Sequence, residues 1–209
     1  MFSVYCVLKS GGIYDAEWVR KLRDGVARNL TIPHRFVCLS DVDVPCERIP
    51  LLHNWPGWWS KIELFRHGVI DGPSVYFDLD TVITGNIDGL TELPYDFAAL
   101  RNFHNPDMIG SGVMWFRQAP EIVYQTFAAD PELCMKYHEV YRDGPYVGDQ
   151  AFIWDSVGRK VDKLTDAFKI HSYKFHCKDG LPEEAAVVCF HGKPRPTEVS
   201  AEWMRQHWS

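Results

Sequence analysis

Asp78 and Asp80 stand one residue apart at the end of a short apolar run, in Val75-Tyr76-Phe77-Asp78-Leu79-Asp80-Thr81. Two carboxylates so placed repel each other and resist desolvation unless positive charge sits between them. Hard divalent cations such as Mg²⁺ or Mn²⁺ take oxygen ligands and bridge them to substrate phosphates. The pair therefore predicts a cation site for a phosphorylated substrate. A surface turn with two solvated acids has the same spacing, so the reading needs support from elsewhere in the chain.

Several segments supply that support. Lys61, in Trp58-Trp59-Ser60-Lys61, precedes the acidic run and reads either as a solvated helix lysine or as a cation of the site. Gly110-Ser111-Gly112 leads into the apolar Val113-Met114-Trp115-Phe116; glycine there permits close approach of backbone to a ligand, or a tight turn. Gly148-Asp149-Gln150 opens an apolar stretch. Its acid and amide serve as helix cap and dipole partner, or as groups for sugar hydroxyls. Val187-Val188-Cys189-Phe190 runs into His191-Gly192-Lys193-Pro194, which offers an imidazole for a metal and an ammonium for a phosphate.

Strand ends must position these groups. Residues 2–8 read as a first strand, with Ser10-Gly11-Gly12 as its exit loop. Over residues 14–30, Trp18, Val19, Leu22, Val26 and Leu30 recur near helical spacing. Residues 34–39 read as a second strand ending in Ser40-Asp41, 45–50 as a connection with an edge strand, and 58–70 as a second helix closed by Asp71-Gly72-Pro73. A strand buried on both faces appears as a continuous apolar run, and open α/β sheets bind ligands at such strands' C-terminal ends. The alternation predicts a parallel α/β sheet with right-handed crossovers. Beyond the acidic pair, short strands are predicted at 97–100, 112–116 and 185–190, and helices near 119–129, 148–157 and 198–208.

The bulk properties bound the answer. The chain has 209 residues, 46% hydrophobic and 14% aromatic, enough for one well-buried domain and too few for two of ordinary size. A formal charge of -6 excludes the basic surface of a general nucleic-acid binder. The six cysteines form no C-x-x-C pair, and most lie in or beside apolar runs, where free thiols pack as small hydrophobes. Lys9 interrupts the opening apolar run, so no signal peptide is read there, and no stretch approaches the ~20 apolar residues of a membrane span. A cytoplasmic setting is expected, with an extracellular disulfide framework as the alternative.

In order and spacing, Tyr76-Phe77-Asp78-Leu79-Asp80-Thr81-Val82, Gly110-Ser111-Gly112-Val113-Met114, Gly148-Asp149-Gln150 and Phe190-His191-Gly192-Lys193-Pro194 resemble the GT-A nucleotide-sugar glycosyltransferases. The resemblance is to the glycogenin and lipopolysaccharide galactosyltransferase group (family 8-like). It implies a single-domain, Rossmann-like α/β fold with a mixed, mainly parallel sheet flanked by helices. Residues 1–90 would form the nucleotide-binding half and residues 91–209 the acceptor half. It further implies Mn²⁺ (or Mg²⁺) held by Asp78, Asp80 and His191 together with diphosphate oxygens. Lys193 would bind the diphosphate, although the family's longer His-to-Lys spacing is compressed here to His191-Gly192-Lys193.

The same resemblance assigns Val7, Leu8, Lys9, Ser10 and Tyr14 to the base and ribose. Leu79 and Gly192 lie within the motifs themselves, and Lys61 and Arg101 would face the donor. The implied reaction moves a sugar from a nucleoside diphosphate sugar, by family habit a UDP-sugar, to a carbohydrate or glycan acceptor with retention. Asp149 or Gln150 would then lie near the anomeric carbon; were the outcome inversion, Asp149 would be the base. Loops 102–110 and 136–147 are expected to build the acceptor pocket.

Other assignments compete. Phe77-Asp78-Leu79-Asp80-Thr81-Val82 also resembles the first motif of haloacid dehalogenase-type phosphatases, with Asp78 as nucleophile and Asp80 as acid/base. That motif normally lies on the first strand, its late acidic motif would need an acid where Ile153 stands, and it gives His191 and Lys193 no role. A nucleotidyltransferase would need a longer glycine-rich basic loop than Ser10-Gly11-Gly12, and a non-catalytic sugar-binding module is the third alternative. Among Trp55, Trp58, Trp59 and Trp115, either Trp58 or Trp115 is the expected ligand contact and the others packing. The final helix, with Trp203, Met204 and Trp208, is expected to dock on the domain.

Overall fold

The computed structural model describes residues 1–141 and 147–209. Its centre is β1 (Phe2–Leu8), whose seven residues alternate between two packed layers. Val4, Cys6 and Leu8 face one apolar cluster, and Tyr5 faces the other. Helix α1 (Ala16–Asn29) starts where the Asp15 carboxylate accepts from the Glu17 amide, a local N-cap. It buries Trp18, Val19, Leu22 and Val26, the predicted stripe, on the first of those clusters.

Strands β2 (His34–Ser40), β3 (Glu47–Pro50) and β4 (Ser74–Phe77) run parallel to β1. Two later strands, β6 (Phe97–Arg101) and β7 (Ile109–Phe116), pair with each other in antiparallel fashion, and β7 pairs antiparallel with β4. With β8 (Asp162–Lys163) the order is β3-β2-β1-β4-β7-β6-β8, a mixed, mainly parallel seven-stranded sheet. Between β4 and β6 lies β5 (Thr81–Ile83). It joins a second sheet, of order β5-β10-β9, with β9 (Ile170–Ser172) and β10 (Val187–Cys189). Thr84 ties this sheet down through its amide and hydroxyl, which donate to the Ala186 and Ala185 carbonyls at 2.9 and 2.8 Å.

The second predicted helix is present but different in kind. Residues Gly57–Phe65 form a 3₁₀ helix, which stops five residues short of the predicted end. Trp59, Ile62 and Phe65 recur every third residue, the repeat that aligns side chains on one edge of a 3₁₀ helix. Glu63 within it is fully buried, and its carboxylate accepts from the amides of Leu52 and His53. These contacts fix the tight winding against any preference for an α-helix.

Helices α2 (Ile122–Ala129), α3 (Pro131–Lys136) and α4 (Asp149–Ser156) cover the second cluster, and the short α5 (Leu164–Ala167) and α6 (Tyr173–His176) precede and follow β9. The last predicted helix is shorter than expected, α7 (Glu202–His207), preceded by a 3₁₀ turn at Pro196–Glu198. It docks as expected: Met204 is buried, and Trp208 meets Trp18 edge-on at 5.6 Å. All six cysteines are free thiols, and no helix among the described residues is long and apolar enough to cross a membrane.

Trp115 is fully buried, and its indole donates to the Leu90 carbonyl at 2.7 Å, so it is a core residue and not a ligand contact. Replacing Trp115 with Phe strands that carbonyl without its donor. The expected cost is about 1–3 kcal/mol from the unmade bond, plus a cavity contribution. Urea denaturation should show a lowered midpoint at unchanged slope; an unshifted midpoint would remove this bond from the list of stabilising contacts.

Candidate active site

The acidic pair lies just past β4, at the C-terminal edge of the parallel strands, where the sheet reverses direction into β7. The Asp78 amide donates to the Gly112 carbonyl at 2.9 Å, which fixes its backbone against β7. A Cβ at Gly112 would stand 3.3 Å from Asp78 Oδ2. Glycine is therefore required there because the carboxylate lies against the neighbouring strand.

Lys61 is the centre of the polar core. It is 5% exposed, and its Nζ lies 2.9 Å from Asp78 Oδ1 and 2.8 Å from Asp149 Oδ2. A third N–H reaches Ser111 Oγ at 3.0 Å, and that hydroxyl donates to Asp149 Oδ2 at 2.7 Å. The Tyr76 hydroxyl donates to Asp78 Oδ1 at 2.5 Å, and Lys61 lies over the Tyr76 ring. Burial opposes the ammonium charge, yet the Asp149 and Asp78 carboxylates hold its pKa above the usual lysine range. Lys61 is thus no solvated helix residue. It neutralises one acid from each half of the site.

Asp80 is buried beside this core and accepts from the Tyr14 hydroxyl at 2.8 Å. Arg195 Nη1 donates to the same hydroxyl at 3.0 Å. Burial, and then the charge of Asp78, push the Asp80 carboxyl up to about 7. With Lys61 shared between Asp78 and Asp149, negative charge remains in excess at this edge. Two adjacent carboxylates in that state suit a hard divalent cation.

His191 does not join them. Its Nε2 is 2.7 Å from Ser172 Oγ, and its ring stacks on Phe103 at 5.7 Å and meets His104 edge-on. Burial, then Lys174 and His104, lower its pKa to about 4, so it is neutral at physiological pH. Among the described residues no three His, Cys, Asp or Glu side chains converge as a metal-holding group. The reason is register: Cys189 on β10 pairs with Ser172 on β9, which brings the serine hydroxyl beside the imidazole at the strand's end.

Two adjoining cavities share this floor. The larger, about 700 Å³, is lined by Val7, Lys9, Ser10, Tyr14, Leu79 and Asp80, with Gly192 at its rim. The smaller, about 410 Å³, is lined by Asp149, Gln150, Asn102 and Gly112. Lys61, Asp78, His191 and the half-exposed Trp58 line both. Gly148, at φ +79°, accommodates the Trp58 indole, whose Nε1 lies 3.1 Å from where a Cβ would stand. Of the expected tryptophan contacts, Trp58 is the one at the site.

Three expected residues lie elsewhere. Leu8 points into the core, because strand alternation sends its neighbours Val7 and Lys9 to the cavity. Arg101 Nη1 reaches the Pro106 carbonyl at 3.4 Å, and the residue lines neither cavity. Lys193 is exposed and also lines neither. Of the expected acceptor loops, 102–110 borders the smaller cavity through Asn102, Phe103 and His104, while residues 142–146 of the other lie outside the described residues.

Sequence reasoning passed over Tyr76, Ser111, Ser172 and Arg195. Tyr76 carried a signal, since residues two apart on a strand share a face; the other three depend on distant pairings. Lys9 is held by Asp41 at 2.5 Å, and the Ser10 amide and hydroxyl donate to the same carboxylate. The exit loop of β1 is thereby tied to the end of β2.

No protein-family model matches the chain, and no curated protein matches it in sequence. Solved structures do match in fold. The galactosyltransferase LgtC, in complex with donor and acceptor sugar analogs, superposes at TM-score 0.67 with 13% identity, covering 98% of this chain and 94% of that one. The glycosyltransferase GlyE of Streptococcus pneumoniae TIGR4 superposes at 0.66 with 14% identity, over 94% of this chain. The bifunctional WbbM superposes at 0.61 with 11% identity. The chain spans 56% of GlyE and 50% of WbbM. The fold is that of these GT-A glycosyltransferases, as the resemblance implied.

Lys61→Met should destabilise the protein by about 3–5 kcal/mol, because it leaves the buried Asp149 carboxylate, beside the partly exposed Asp78, without a counter-charge. Adding Asp149→Asn should recover part of that loss in urea denaturation; strictly additive losses would refute the shared role of Lys61. A second expectation concerns Asp41. Burial works against its charge, yet hydrogen bonds from Lys9 and Ser10 lower its pKa to about 2, below the ordinary 3.8. A depressed carboxyl stabilises the fold above its unfolded pKa. The stability gap between wild type and Asp41→Asn should therefore be full at neutral pH and fade as the pH falls from 3.8 to about 2. A gap that does not change with pH over that window would contradict it.

Proposed function

We propose that this chain is a glycosyltransferase that moves a sugar from a nucleoside diphosphate sugar, a UDP-sugar, to a hydroxyl of a carbohydrate acceptor. The observation that carries this reading is Lys61, which spans 2.9 Å to Asp78 and 2.8 Å to Asp149 and so joins the two cavities through one charge network. The larger cavity, bounded by the β1 exit and the acid pair, has the size and position for a nucleotide. The smaller, with its acid, amide and aromatic wall, suits a sugar.

Asp78 and Asp80 would hold the divalent cation, Mn²⁺ or Mg²⁺, with diphosphate oxygens and water completing its shell. Such a cation supplies Lewis-acid neutralisation of the departing diphosphate. The chain's own residues do the rest. Tyr14 and Arg195 fix the Asp80 carboxylate, and Tyr76 and Lys61 fix that of Asp78, so the acids are preorganised before the donor arrives. Neutral His191, held by Ser172, forms part of the wall and stays uncharged.

Asp149 bears on the stereochemistry. Its Oδ2 accepts from both Lys61 and Ser111, which turns that oxygen away from an incoming hydroxyl. That favours retention over inversion, with Gln150 on the same cavity wall, from which it would face the anomeric carbon of a bound donor. The phosphatase alternative needs Asp78 as a free nucleophile, whereas its Oδ1 is engaged by Tyr76 and Lys61.

Incubation with Mn²⁺ and a panel of nucleotide sugars tests the reading through release of the nucleoside diphosphate. Release is expected with UDP-sugars and should fall by on the order of 10²-fold in Asp80→Ala. If every nucleotide sugar is inert and p-nitrophenyl phosphate is hydrolysed with Mg²⁺, in a manner lost in Asp78→Asn, the phosphatase assignment takes its place.

A further inference from the structure

A nucleoside diphosphate entering the larger cavity meets an edge already carrying Asp78, Asp80 and Asp149, in a chain of formal charge -6. A cation beyond those that balance the acids is needed to receive it. Lys61 is shared between Asp78 and Asp149, and Lys9 is paired with Asp41. Arg195 directs Nη1 to Tyr14 and lies over that ring. Lys193, the expected diphosphate ligand, is exposed and borders neither cavity.

Lys174 also lines neither cavity, but its ammonium lies against Gly192, which lines the larger one. The lysine lies on α6, whose two neighbours are anchored on the segment that forms the cavity rim. Tyr173 stacks on Phe190 at 4.5 Å and 14°, and Ser172 contacts His191 at 2.7 Å while its hydroxyl caps the helix at the Phe175 amide. The Lys174 side chain is half-buried, and its Nζ lies 3.4 Å from where a Cβ would stand at Gly192. Gly192 has φ +75°, a conformation L side chains rarely adopt, and its bare backbone leaves the ammonium room at the rim. No carboxylate among the described residues pairs with Lys174.

We propose that Lys174, seated on the backbone of Gly192, is the residue that binds the diphosphate of the donor, in place of Lys193. This assignment rests on the donor reading above. Lys174 acts as a point charge on the phosphate oxygens, a role suited to an ammonium on a flexible stem. Because no carboxylate among the described residues pairs with Lys174, its charge is available to the ligand without first breaking an ion pair there.

Isothermal titration of uridine and of UDP, in the presence of Mn²⁺, separates the possibilities. Lys174→Met should weaken UDP at least tenfold, leave uridine within twofold of wild type, and flatten the fall of UDP affinity with added salt. Lys193→Met should change neither ligand by more than twofold, and Lys174→Arg should retain most of the UDP affinity. Unchanged uridine binding doubles as the control for folding of each variant. Wild-type UDP affinity in Lys174→Met, or a tenfold loss in Lys193→Met alone, overturns the assignment while leaving the donor reading intact. Wild-type protein that binds neither uridine nor UDP overturns the donor reading and this assignment with it.

Discussion

One buried ammonium organises this molecule. Lys61 comes from a 3₁₀ helix, Asp78 from the turn after β4, and Asp149 from the first turn of α4. Three elements distant in sequence thus meet at one nitrogen. An ion pair out of water is stable only when its geometry is good and the remaining polar atoms are satisfied. Here all three N–H groups have acceptors, and Ser111 completes the circuit to Asp149. The tight winding of Gly57–Phe65 follows from the same demand, since every residue from Trp59 to Phe65 is buried and each must find its partner.

Much of the architecture was legible in the chain. The stripe of Trp18, Val19, Leu22 and Val26 gave α1 correctly, and the apolar run before Asp78 gave β4 and the position of the acids at the sheet's edge. Those features are local, carried by periodicity and by residues adjacent in sequence. The 3₁₀ character of the second helix was hidden, because it is dictated by the buried Glu63 and its contacts with the Leu52 and His53 amides. Tertiary contacts there override any single-segment preference.

The site was legible in its acids and not in its cations. Asp78, Asp80 and Asp149 announce themselves by spacing and by position before apolar stretches. A lysine's role depends on what its long side chain reaches, and sequence is silent on that. Lys61 read equally as a surface residue, Lys193 was favoured by its motif yet faces solvent, and Lys174 had no motif at all. His191 shows the same limit. Its position after β10 was correct, but the Ser172 hydroxyl that claims it comes from a neighbouring strand nineteen residues earlier.

The small second sheet has a kinetic meaning. Its pairing of Val82 with Val188, and the Thr84 hydroxyl on the Ala185 carbonyl, join positions 101 residues apart in the latter case. Closing so long a loop is entropically slow to arrange, and high contact order of this kind delays folding. On a ribosome, β1 to β4 can pair as they emerge, whereas the rim formed by residues 190–195 must wait for a stretch made more than a hundred residues later. The acid pair therefore exists as a half-built, open edge in the nascent chain until Arg195, 181 residues after Tyr14, emerges to meet it.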